Sequence, residues 1–156
     1  METATKSVAQ CLDESVKTMD DFNPDEPEMI GSPSVGDVVR HGDVYLVCLD
    51  SMPKGTPTQN MQLAPGNTQG SRHILADPND NNKPANVNIV NGWDWHSIDC
   101  LKEFTLHHAL IGPAFECKSA TEVTHPEHQH KILPEGTVWG TIYQRQHAEE
   151  VRRVMD

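Results

Sequence analysis

The chain is poor in several things at once. Aromatic residues make up 5% of its 156 residues and apolar residues 36%, so the core that it can bury is small for its length. No window approaches the roughly 18 consecutive apolar residues that a membrane-spanning helix needs. No run of Lys or Arg occurs, and 23 acidic against 12 basic residues leave a net charge of −11. A surface of that sign repels phosphate backbones, so nucleic acid is not expected as a direct partner, and neither is a membrane. The opening METATKSVAQ has no apolar segment behind a basic start. It does not read as a secretory signal, and the chain is expected to be made in the cytoplasm of its host.

Catalytic signatures are missing too. No G-x-S-x-G elbow marks a nucleophile, and neither G-x-x-x-x-G-K-[ST] nor G-x-G-x-x-G offers a phosphate cradle. The four cysteines, Cys11, Cys48, Cys100 and Cys117, include no C-x-x-C pair. Three readings of them stay open: small buried hydrophobes kept reduced, disulfides formed after release from the cell, or zinc ligands.

What is present falls into two parts. Residues 1–35 read as an acidic arm and linker, and residues 36–156 as a β-rich body. The first 30 residues hold eight acids against two lysines, a net of −6. Within them Val8, Leu12, Val16 and Met19 recur at the spacing of one helical face, which predicts a helix over about residues 4–19. Its apolar stripe is thin, and so short a helix is marginal alone, so it must dock on something. DDFNPDEPEMIGSPSVG then reads as an extended linker.

The body reads as short strands: DVYLVCL, SRHIL within a long loop over residues 55–84, ANVNIVNG, EFTLHHALIG, AFECK, TEVTH, HKIL and TVWGTIYQR. Turns rich in Gly, Pro and Asn separate them. This predicts a mainly β fold, an antiparallel sandwich or small barrel, with the arm before it and HAEEVRRVM as a short terminal helix. Trp93 and Trp95, two apart in an aromatic-poor chain, are expected to anchor either the core or a partner interface.

The densest chemistry lies in THPEHQHKILPEG, which places His125, His128 and His130 within six positions with Glu127 among them. Pro126 disfavours a helix there. On a strand His128 and His130 would face the same way, as a chelating pair does, with Glu127 as a third ligand or an acceptor behind the ligands. His73 in the long loop can supply a further imidazole. A divalent metal held by His73, His125, His128 and His130 is therefore one reading; a solvated polar turn is the other.

RHGDVYLV (residues 40–47), THPEH (124–128), LPEGT (133–137) and the closing QRQHAEEVRRVMD (144–156) resemble a family of small uncharacterised proteins of bacteriophage and bacterial genomes. That family carries Gly-His-x-His, His-x-x-His, a Leu-Pro-x-Gly turn and a terminal Gln-Arg with Arg-Arg-Val-x-Asp. The resemblance implies a site of three or four histidines. GSRH (70–73) has Ser71 where the family has its first histidine, which leaves this chain one ligand short unless His130 replaces it. Three functions follow as expectations. The first is a non-enzymatic virion component, a capsid-decoration, cement or connector protein without a cofactor. It would bind other virion proteins in an oligomeric assembly through Val8, Leu12, Val16 and Met19, with Trp93 and Trp95 as further contacts. The second is a small histidine-dependent metal-binding β-domain, with metalloenzyme activity open. The third is an acidic intracellular adaptor or inhibitor of a host protein.

Overall fold

A computed structural model describes residues 26–64, 73–101 and 108–144. The expected helix over residues 4–19, its four-residue apolar face, and the expected terminal helix lie outside these residues. Among the described residues no helix is long and apolar enough to cross a membrane.

Eleven strands are described, and they form two sheets. In chain order they are β1 (Glu28–Met29), β2 (Val38–His41), β3 (Val44–Leu49), β4 (Thr56–Thr58), β5 (Ile74–Asp77), β6 (Asp80–Pro84), β7 (Val87–Asn91), β8 (Ile111–Cys117), β9 (Thr121–Thr124), β10 (Lys131–Leu133) and β11 (Val138–Tyr143). The larger sheet runs β2-β3-β11-β8-β7-β4 and is antiparallel throughout; the smaller runs β1-β10-β9-β5-β6, with β1 parallel to β10. The fold is mainly β, two sheets packed as a sandwich.

The alternation of β3 shows how the layers are built. Val44, Leu46 and Cys48 point between the sheets, where they meet Leu75, Val123 and Leu133 of the smaller sheet together with Phe115 and Trp139. Tyr45, Val47 and Leu49 point to the opposite face, where a second cluster forms with Val90, Trp93, Ile98, Leu101 and Ile142. Both faces of this strand are covered, which is why its sequence is an unbroken apolar run. The cover on the outer face is the segment with 3-10 turns at Trp95–Ser97 and Asp99–Leu101.

Trp93 belongs to that outer core: it is 3% exposed, and its Nε1 donates to the Gly112 carbonyl at 2.8 Å. It lies against Gly140, where a Cβ would come within 2.9 Å of the indole. Its indole is therefore not presented to a partner. Trp95 is half-buried against the same cluster, with the His96 ring stacked on it at 3.7 Å.

Three local readings give way to long-range pairing. The linker is not wholly free: Glu28 and Met29 pair with Lys131 and Ile132, Ile30 is buried, and Lys131 Nζ meets Glu28 Oε1 at 3.2 Å. The loop over 55–84 contains β4, β5 and β6; Pro57, lacking an N–H, sits in the edge strand β4, where no further strand needs that donor. Of the strand expected over EFTLHHALIG, residues 103–107 lie outside the described residues, His108–Leu110 form a 3-10 turn, and β8 starts at Ile111.

Cys48, Cys100 and Cys117 are free thiols, and Cys48 and Cys117 are buried. Burial raises both of these thiols to about 11. A raised thiol holds its proton in the folded state, so its contribution to stability is complete below the ordinary value near 9 and is lost as pH rises toward 11. Two results are expected. Cys48 and Cys117 should escape alkylation in native protein at pH 8, read by peptide mass spectrometry. Urea midpoints should fall between pH 9 and 11; rapid labelling of both thiols without unfolding would contradict their placement.

Candidate functional site: a four-histidine pocket

Two pairings set the site. β2 ends at His41, and the two residues Gly42 and Asp43 turn the chain into β3, with His41 opposite Val44. In the smaller sheet Ile74 pairs with Thr124, so the next residues outward, His73 and His125, stand at the same end of β5 and β9. The loop over 125–130 then brings His128 back over the pocket. The result is four imidazoles at one end of the sandwich, contributed by both sheets.

Their ring centroids are 4.8 Å apart for His41 and His73, 4.5 Å for His73 and His125, and 4.4 Å for His125 and His128. The remaining pairs lie at 6.0, 6.1 and 6.3 Å. His41 and His73 are 0% exposed and His125 is 2% exposed. Gly42 makes the close packing feasible. Its φ is +61°, and a Cβ there would meet the His128 ring at 2.5 Å. Gly42→Ala combines a left-handed backbone with that clash, and the expected cost is about 1–3 kcal/mol in a urea melt, with His128 displaced. Full wild-type stability in the variant would contradict this packing.

The hydrogen bonds order the rings. Asp43 Oδ1 lies 2.7 Å from His73 Nε2, and His73 Nδ1 lies 2.8 Å from His41 Nδ1. His41 Nε2 is buried and has no hydrogen-bond partner among the described residues. Burial, followed by the like charges of His73, His125, His128 and Lys131, holds His41 well below the ordinary imidazole pKa, so that ring is neutral at pH 7. His125 Nδ1 accepts the Glu127 amide at 2.9 Å.

Among the described residues no group of three or more His, Cys, Asp or Glu could hold a metal ion as the side chains stand. The distances explain why. Two imidazole nitrogens on a tetrahedral zinc stand about 3.4 Å apart, whereas those of His41 and His73 are closed to 2.8 Å by a shared proton. The Glu127 amide likewise occupies one nitrogen of His125. For comparison, rings that share a metal through bonds near 2.1 Å have centroids on the order of 5 Å apart. An ion bound by both rings would require the His41–His73 contact to open.

His130, expected among the ligands, is turned away from these rings. Its Nδ1 is 2.8 Å from Glu122 Oε2 and its Nε2 is 3.2 Å from the His125 carbonyl. Residues 125–130 form bends rather than a strand, so the alternation that would align His128 with His130 does not apply. Glu127 is exposed and enters the site through its backbone amide. Two residues were not read from the sequence, His41 and Asp43. Their only signal was the His-Gly-Asp step before an apolar strand.

A cleft of about 410 Å³ is lined by Asp50, Lys54, Asp94 and Asp99 among others and includes none of the four histidines. Comparison with family models, with curated proteins and with solved structures gave no match.

Proposed function

We propose that this chain is a small histidine-dependent β-domain that binds one transition-metal ion in the pocket of His41, His73, His125 and His128. The observation that carries the reading is the buried, partnerless Nε2 of His41 inside a cluster of four imidazoles. A buried polar atom left unpaired costs about 1–3 kcal/mol, and a fold that keeps one among three further metal-type ligands has a use for it. Imidazole donors select zinc, copper, nickel or iron over the hard cations calcium and magnesium. Asp43 behind His73 is the carboxylate partner that metal-site histidines commonly have. The virion-component reading draws on the arm over residues 1–35, of which 1–25 lie outside the described residues, and on Trp93 and Trp95, so the pocket carries the proposal.

The test is titration of chelator-stripped protein with cobalt(II), whose visible absorption reports imidazole ligation. The expected result is saturation at one ion per chain, reversed by zinc but not by magnesium. A flat titration of folded protein would overturn the reading.

A further inference from the structure

The loop that closes over the pocket is fastened from outside by the end of the N-terminal arm. Residues 125–130 carry His125 and His128 and make bends, so no ladder of their own fixes them. The C-terminal end of this loop is clamped from two sides instead. On one side the His130 ring meets Glu122 Oε2 of β9 at 2.8 Å and the His125 carbonyl at 3.2 Å. On the other, the Glu28 amide donates to the His130 carbonyl at 2.8 Å, and the Gln129 side chain donates to the Glu26 carbonyl at 2.9 Å. Further along β10, Lys131 Nζ meets Glu28 Oε1 at 3.2 Å and the Ile30 amide donates to the Ile132 carbonyl at 2.9 Å. Ile30 itself is buried in the core between the sheets.

We propose that residues 26–30 are a strap that holds the histidine loop shut over the pocket, and that release of the strap opens the pocket at His125 and His128. The strap is the weaker half of the clamp. β1 has two residues, stands at the edge of its sheet and pairs with β10 alone, and so short an edge pairing opens at lower free energy than a central ladder. Ser32, just behind it, is held at φ +40°, a left-handed backbone that a non-glycine residue keeps only under constraint from its surroundings. His130 transmits the release. Its carbonyl takes the strap while its ring takes the start of the loop, so displacement of one end reaches the other. This device goes beyond the binding reading above and does not depend on what the pocket holds. A partner of the acidic residues that precede the strap would act on the pocket through it.

The experiment is amide hydrogen exchange, read by NMR on full-length protein, with a pair of proline variants. Glu28→Pro removes the amide that bonds the His130 carbonyl. Met29→Pro is the control, since alternate amides of a strand face opposite ways and an edge strand tolerates proline where its N–H faces out. The Ile30 amide reports the strap, the Glu127 amide, which donates to His125 Nδ1, reports the loop, and the amides of β11 report the body. In Glu28→Pro, Ile30 and Glu127 should both exchange at least about 10-fold faster than in the wild type, with β11 unchanged. The buried His125 should also become reactive to diethyl pyrocarbonate in that variant. Met29→Pro should show none of these changes. Unchanged Glu127 exchange in a Glu28→Pro variant whose Ile30 amide is released would overturn the strap. So would equal acceleration in both variants, or a loss of protection that extends to β11, which would make the arm a support of the whole sandwich instead of the loop.

Discussion

Replacing Trp139 by alanine is expected to remove about 3–5 kcal/mol of stability, the largest loss foreseen for any single side chain here. Trp139 is 0% exposed and lies between the sheets, paired in register with Cys48 on β3 and Phe115 on β8. Its removal opens a cavity at the centre of the layer where the two sheets meet, and the β3–β11–β8 ladder around it cannot collapse without breaking register. The indole Nε1 also donates to Thr137 Oγ1 at 2.8 Å. Thr137→Val removes that acceptor and keeps the ring, so it should cost about 1–3 kcal/mol, largely because the indole N–H is left unpaired. Domains of this size are stable by about 5–15 kcal/mol, so the alanine variant should populate unfolded chains near 37 °C while the valine variant does not. Urea denaturation followed by tryptophan emission separates the two. A loss below 1 kcal/mol for Trp139→Ala would mean that the sheets do not meet there.

Zinc affinity is expected to fall by at least about 100-fold in His41→Ala. Losing a partner behind a ligand costs 10–100-fold, and losing the ligand costs more. The same change in His130 should leave affinity close to the wild type, because both of its ring nitrogens are engaged away from the four rings. His130→Ala should instead destabilise the fold, since it leaves the carboxylate of Glu122, a residue 4% exposed, without its partner. Isothermal titration of both variants, after circular dichroism has confirmed folding, makes the comparison. Equal loss of affinity in the two variants would return His130 to the ligand set and contradict the geometry of the loop.

The contrast between His41 and His130 marks how far local sequence carries. The unbroken apolar run over Val44–Leu49 and the largely apolar run over Val138–Tyr143 made the central ladder and the sandwich legible, because a strand buried on both faces is apolar nearly throughout. The edges were not legible. Glu28–Met29, Thr56–Thr58 and Asp80–Pro84 have little strand propensity, and they are strands because a neighbour with free backbone groups lies beside them. The site divides in the same way. His73, His125 and His128 stand out as histidines in suggestive spacing, and the structure brings their rings together. His41 does not stand out, since its place is set by where the β2–β3 turn falls relative to the other sheet, a matter of register across residues far apart in the chain. His130 was read with a strand's period where the chain makes bends. Three histidines were visible in the pattern, and the fourth became visible only when the sheets were stacked.

The central claim is that the pocket holds a metal, and the most direct test is the metal content of untagged, full-length protein purified without chelators, measured by elemental mass spectrometry. The control is the His41→Ala/His128→Ala double variant, shown to be folded. Close to one zinc, copper, nickel or iron ion per wild-type chain is expected, and none in the control. A metal-free wild type that also refuses added zinc, or a control that keeps its ion, would contradict it.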